Sequence, residues 1–158
     1  MQYKIIDNFL PQDMLKIGSL LNPFISKWFR YPAEKPYQNA ILEEANKHFP
    51  LDACVGFEEW SHNPHWSPLP TPHYDKDEEL YSALGILKFP ICSCILYLKV
   101  EDLIGAHLYL DDIGKVIRPR TNRLVLLAPG VLHSVTEFKS GTRVSVNINP
   151  WDYAINKS

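Results

Sequence analysis

The sequence predicts an α+β chain that is mainly β: a strand and supporting helices first, then a β-sandwich or barrel. Three observations predict it. Helical periodicity is confined to the first fifty residues. Beyond them the chain breaks into short β-like runs at 55–62, 86–99, 107–110, 123–127 and 143–149. Turn formers separate those runs, notably Gly105, Asp111-Asp112, Thr121-Asn122, Pro129-Gly130 and Ser140-Gly141. Helices before strands is an α+β order, and many short strands pack as two sheets or a closed barrel. The expected architecture is a single domain over 1–158. A strand and supporting helices in 1–50 pack outside a double-stranded β-helix, or jelly-roll, core in 51–158.

Each element has a local reason. Tyr3-Lys4-Ile5-Ile6 reads as a short strand ended by Asp7 or Asn8. Pro11 suits a helical first turn, and Met14, Leu15, Ile17 and Leu21 recur at helical spacing. A second helix is expected from about Gln38 to His48, with Ile41, Leu42 and Ala45 inward and Pro50 as its stop. Prolines crowd 64–72, where their fixed φ gives a stiff, non-helical segment able to wall a pocket. No repeat, linker or low-complexity stretch interrupts the chain.

Composition narrows the function classes. The chain has 158 residues, 46% of them hydrophobic and 22% charged, enough for one core. A net charge of -2 gives no electrostatic footprint for nucleic acid or anionic membrane. Asp7 and Asn8 interrupt the opening apolar residues, which argues against a signal peptide. No apolar run approaches the roughly 18 residues that cross a bilayer. Three cysteines cannot all pair, which favours a reducing compartment, and a cytoplasmic protein is expected.

Strand periodicity sorts the side chains of the last runs. Arg143, Ser145, Asn147 and Asn149 share one face of their strand, and Val144, Val146 and Ile148 share the other. The polar face is either solvated or turned inward onto a polar cavity. Ser93, Ile95 and Tyr97 likewise oppose Cys92, Cys94, Leu96 and Leu98. Tyr97 then places a phenol on a mostly apolar face, where a buried hydroxyl needs a partner. A carboxylate held by Arg143 would suit it.

His73-Tyr-Asp75, followed far downstream by His133 and then Arg143, is the constellation that carries chemistry. Two histidines and one carboxylate occupy one triangular face of an octahedral iron(II) ion and leave the opposite face open. An HxD alone occurs by chance in many proteins. The ordered set is far more specific.

Taken together these residues resemble the iron(II)- and 2-oxoglutarate-dependent dioxygenases, within them the prolyl-4-hydroxylase-like group. IIDNFLPQDM is similar to the strand-then-helix opening of that group, and TPHYDKDE carries the HxD. CSCILYLK resembles its CxxYYLN-type strand. RPRTNRLVLLAPGVLHSVTEFKSGTRVSVNINPW resembles its closing region. The resemblance implies that His73, Asp75 and His133 bind iron(II) and that Arg143 pairs with the distal carboxylate of 2-oxoglutarate. Tyr97 would hydrogen-bond that carboxylate, and Ser145 and Asn147 would line its pocket. Dioxygen is the other co-substrate. Decarboxylation of 2-oxoglutarate would be coupled to hydroxylation of a C–H bond, in a peptidyl residue such as proline or in a free small molecule. Ile104-Gly105-Ala106 departs from the group's Gly-Gly run and leaves the substrate side open.

Other residues carry two readings each. Trp60 and Trp66 are either core or a substrate wall, and His107 either packs on its strand or touches substrate. His62-Asn-Pro-His65 lacks the second pair that a structural zinc site needs, so these are loop histidines or mouth contacts. Cys92 and Cys94 read as buried thiols. Asp77, Glu78 and Glu79 read as a solvated acidic turn that biases the mouth toward basic or polar substrates. The alternative from a different class is a non-catalytic jelly-roll binding protein, which has no need of the full set of four.

Overall fold

The computed structural model describes residues 1–16, 26–65 and 70–155. Its strands are β1 (Tyr3–Ile6), β2 (Lys27–Arg30), β3 (Gly56–His62), β4 (Ser93–Gly105), β5 (Leu108–Leu110), β6 (Lys115–Ile117), β7 (Arg123–Leu127), β8 (His133–Val135) and β9 (Phe138–Trp151). Two helices, α1 (Pro36–Asn46) and α2 (Glu78–Leu84), complete the described elements. The strands form a six-stranded sheet, β1-β7-β4-β9-β3-β2, and a three-stranded sheet, β6-β5-β8. Every pairing is antiparallel. This mainly β, two-sheet arrangement is consistent with the jelly roll expected from the sequence.

Period-2 alternation in the large sheet creates two separate cores. Cys94, Leu96 and Leu98 of β4, Leu124 and Leu126 of β7, and Val146 and Ile148 of β9 face α1. There they meet Tyr37, Ile41, Leu42 and Ala45, which lie on one side of that helix. Pro36 supplies the preset φ of the helical first turn. On the opposite face, Ile95, Tyr97, Val125 and Leu127 meet Leu108, Leu110 and Ile117 of the small sheet. At roughly 1.5–3 kcal/mol per fully buried large apolar side chain, both interfaces are held by the hydrophobic effect.

Strand β9 runs between β4 and β3 and pairs with both. Glycine permits a close approach to β4: at Gly141, φ 99°, a side chain would meet the Asp102 backbone. The N-terminal segment is fastened by Asn122, which lies just before β7 with φ 65° and is buried. Its side-chain oxygen accepts from the Leu10 amide at 2.8 Å, and its nitrogen donates to the Leu10 carbonyl at 2.8 Å.

The structure corrects several expectations. Residues 14–16 of the first expected helix form a 3-10 turn, with amides of Met14 and Leu15 bonded three residues back, and the rest of that helix falls on residues outside those described. Ile17 and Leu21 lie outside the described residues, so of the two expected helices α1 alone is present among those described. The run at 86–99 does not start as a strand: Pro90 removes a donor, Ile86 and Leu87 are exposed, and pairing begins at Ser93. Asp77, Glu78 and Glu79 are no simple turn. Asp77 is buried and caps α2, accepting from the Leu80 amide at 3.1 Å, and Gly85 ends that helix in the left-handed conformation. No described helix is long and apolar enough to cross a membrane.

Replacing Asn122 with alanine strands both Leu10 backbone groups and leaves a non-glycine residue at positive φ without its compensating side chain. A destabilisation of about 2–4 kcal/mol is expected. Urea unfolding should show the midpoint falling with the slope unchanged.

Candidate functional site

His73 lies in an extended segment held against the start of β8. The His73 amide donates to the His133 carbonyl and the His133 amide to the His73 carbonyl, each at 3.0 Å. This reciprocal bridge sets the two imidazoles together, with ring centroids 4.4 Å apart. Each ring is then oriented from its other side. His73 Nδ1 lies 2.7 Å from the Thr71 carbonyl and His133 Nδ1 2.9 Å from the Val131 carbonyl. Carbonyls only accept, so both Nδ1 atoms carry hydrogen and both Nε2 atoms face the other way.

Asp75 meets them. Its Oδ1 lies 3.4 Å from His73 Nε2 and 3.6 Å from His133 Nε2. Its Oδ2 accepts from Ser93 Oγ at 2.6 Å and from Asn149 Nδ2 at 3.2 Å. Burial would raise the Asp75 carboxyl, but hydrogen bonds with His133, His73 and Ser93 hold it well below the usual carboxylate range. The Asp75 hydrogen bond raises the His73 imidazole above its ordinary value, against desolvation. One ligand atom from each of the three residues falls within 4.8 Å of the other two. Two imidazole nitrogens and one carboxylate oxygen, each fixed from behind, fit a divalent first-row metal bound on one face.

A narrow cavity of about 80 Å³ runs from the triad to Arg143. His62, Ser145 and Asn147 line it, with Ile95 and Trp60. The polar face of β9 is therefore turned inward, which decides the alternative left open by periodicity: Arg143 is 3% exposed and Ser145 1%. Arg143 Nη1 donates to His62 Nδ1 at 2.9 Å, and its guanidinium carbon sits 5.1 Å from the centre of the Tyr97 ring. Among the described residues no carboxylate pairs with Arg143. Its Nε and the Tyr97 hydroxyl are both buried without a hydrogen-bond partner. Burial pushes the Tyr97 phenol up, against the pull of the Arg143 charge. A buried cation and a buried hydroxyl left open together suit an incoming anion.

Of the other expected residues, Trp60 lines this cavity and a wider one on the far side of the triad. Trp66 lies outside the described residues. His107 lines neither cavity; its backbone is tied to Thr136, and desolvation with the charges of Arg118 and Arg143 lowers its imidazole. His62 is no loop histidine, since it is buried on β3 as the acceptor for Arg143. His65 instead reaches the Gly141 carbonyl at 2.8 Å, so the two do not form a zinc pair. Cys92 and Cys94 are buried free thiols.

Sequence reasoning did not assign Ser93 or Asn149 to this site, and offered His62 only as a loop histidine or mouth contact, not as the partner of Arg143. A signal existed for two of them. Ser93 shares the Ile95–Tyr97 face, and Asn149 shares the Arg143 face, so their directions followed from alternation. For His62 the strand pairing was needed: it sits opposite Ser145 in the β3–β9 register.

No family model and no curated protein matches this chain. Solved structures do match. A viral collagen prolyl hydroxylase from Paramecium bursaria Chlorella virus 1, in a 2-oxoglutarate complex, aligns over 95% of this chain and 96% of its own at TM-score 0.66 and 16% identity. A prolyl-4-hydroxylase from Pseudomonas putida aligns over 97% and 94% at TM-score 0.63 and 14% identity. NgTET1 in complex with 5mC DNA aligns over 95% and 72% at TM-score 0.58 and 11% identity. The chain shares its fold with these prolyl hydroxylases, and also with a protein solved on DNA, so the fold alone leaves the substrate open.

Ser93→Ala removes the shorter of the two hydrogen bonds that orient Asp75. Manganese(II) affinity, read by electron paramagnetic resonance, is expected to fall about 10–100-fold with the fold intact.

Proposed function

We propose that the protein is a non-haem iron(II) oxygenase of the 2-oxoglutarate-dependent, prolyl-4-hydroxylase-like class, acting as one domain. The observation that carries this reading is a single cavity with a His-Asp-His triad at one end and, at the other, a buried arginine that no carboxylate among the described residues pairs with and whose Nε has no partner. His73, Asp75 and His133 would hold iron(II). Arg143 would take the distal carboxylate of 2-oxoglutarate in a charge-assisted pair, and the Tyr97 hydroxyl would donate to the same group. Ser145 and Asn147 would fill the wall between. Iron(II) held there would activate dioxygen, which is the oxidant: 2-oxoglutarate, dioxygen and R–H would become succinate, carbon dioxide and R–OH.

The protein's own part is positioning. The Thr71 and Val131 carbonyls fix the imidazole protons on Nδ1, so that Nε2 is free for metal. Ser93 and Asn149 keep Asp75 Oδ1 directed at the metal position. His62 holds the guanidinium in place before the oxo acid arrives. Ile95 and Leu108 keep that cavity partly apolar, which strengthens the pairing with Arg143. Peptidyl hydroxylation, including that of proline, is favoured by the prolyl hydroxylases among the matching structures. A cytoplasmic location and the absence of nucleic-acid partners remain part of the proposal.

The test is anaerobic addition of iron(II) and then 2-oxoglutarate, followed by visible absorption. Wild type should develop a charge-transfer band, and Asp75→Ala should not. Arg143→Ala should need on the order of 30-fold more oxo acid or beyond, as expected for losing a buried charge pair. No band with reduced iron, and no succinate in air, would leave a non-catalytic jelly roll.

A further inference from the structure

The segment 78–88 leaves the body of the protein and returns to it. Helix α2 covers about 10 Å at the helical rise, and Gly85 turns the chain in the left-handed conformation. Residues 86–88 suffice to return, since extended chain covers about 3.3 Å per residue. The Asp77 amide donates to the Lys88 carbonyl at 2.9 Å and closes the base. That base is fixed: Asp77 also accepts from the Tyr153 hydroxyl at 2.7 Å, and the rings of Phe89 and Tyr74 lie 5.8 Å apart. The tip is bare. No residue of α2 is buried, and every residue from 81 to 88 is exposed. Four of them are large and apolar: Tyr81 is 46% exposed, Leu84 67%, and Ile86 and Leu87 45% each. Tyr81 and Leu84, three apart, share one face of the helix. A surface helix normally turns such a stripe inward, yet these four side chains belong to neither hydrophobic core.

The apolar face continues the rim of the wider cavity beside the triad, about 280 Å³ in volume. Lys76 and Glu78 line that cavity together with His73 and Asp75. Lys76 Nζ lies 3.2 Å from Glu78 Oε1 and 5.2 Å over the Tyr81 ring, so one side chain joins the rim to the projection. Area and position decide what covers this face. Four partly exposed side chains offer on the order of 300–400 Å², the size of a functional patch on a monomer and about half of what each partner buries in a stable dimer. A second copy of the chain would be poorly held there, and a small molecule would end inside the cavity. A polypeptide has to run on past the rim. We propose that the 78–88 projection is a docking arm for a polypeptide substrate, which places one residue at the triad and lays a large apolar residue on Tyr81 and Leu84. Along α2, Tyr81 stands about 4.5 Å and Leu84 about 9 Å beyond Glu78, which is one to three residues of extended chain. Allowing about one residue to reach the rim, the apolar residue stands about two to four positions from the one at the triad. The inference rests on the oxygenase reading of the triad.

The probe is a library of random twelve-residue peptides displayed on phage, selected on the chain loaded with manganese(II) and 2-oxoglutarate. Enriched peptides are synthesised and titrated by fluorescence anisotropy against wild type, Tyr81→Ser, Leu84→Ser and Ile113→Ser, the last an exposed apolar position outside the projection. They should carry a large apolar residue. Their affinity should fall about five- to tenfold with Tyr81→Ser or Leu84→Ser and stay within about twofold with Ile113→Ser. Paramagnetic broadening of the peptide resonances by manganese(II) should centre about two to four positions from that apolar residue, as the rise of α2 requires. Unfolding midpoints check that the exposed substitutions keep the fold, and Leu87→Ser replaces either α2 variant that does not. No enriched peptide, peptides indifferent to Tyr81 and Leu84, or broadening at another spacing overturns the proposal. So does a dimer in sedimentation that Leu84→Ser dissociates, which gives the patch to a second copy. Patch-dependent binding without the charge-transfer band keeps the docking arm and removes the oxygenase. The band without such binding removes only the arm.

Discussion

The alternation of β9 is the constraint on which the rest of the structure depends. This strand is paired on both sides, so its register cannot drift without breaking two ladders. A slip of one residue would carry Val146 and Ile148 out of the core under α1 and drive Arg143, Ser145 and Asn147 into it. Burial of the apolar face therefore aims the polar face. The interior cavity is a by-product of the same packing that stabilises the sheet.

That division of labour explains what was legible in the sequence. The faces of β4 and β9 followed from period 2, and the structure places Ile95 and Tyr97 opposite Cys94, Leu96 and Leu98 as expected. The HxD and the distal histidine were visible because side chains able to bind a metal carry distinctive chemistry. Periodicity did not reveal whether the Arg143 face met water or a cavity, since both tolerate polar side chains. Short edge elements such as β2 and β6 were also hidden, having too few residues to show a period. The α2 cap was readable in principle, with Asp77 before an acidic first turn and Gly85 behind. It was missed because no residue of that helix is buried, so no apolar stripe announces it.

The orienting groups of the triad are ordinary residues without a sequence signature. Two backbone carbonyls set the imidazoles, and a serine and an asparagine from two different strands set the carboxylate. Serine on β4 and asparagine on β9 are unremarkable in any β protein until the sheet places them behind the same oxygen. The same holds for His62, whose pairing with Arg143 spans 81 positions of sequence. Long-range register, rather than local pattern, turns these residues into a site.

The reciprocal bridge between His73 and His133 has a thermodynamic side as well. Those residues lie far apart along the chain, so an unfolded chain could offer a cation the neighbouring His73 and Asp75 but would have to close a long loop to add His133. A metal bound by all three would act as a cross-link present only in the native state. Its binding energy would become folding energy, growing with the logarithm of free metal above the dissociation constant. Depletion of metal would then loosen the join between the 70–77 segment and the small sheet before it reached either hydrophobic core.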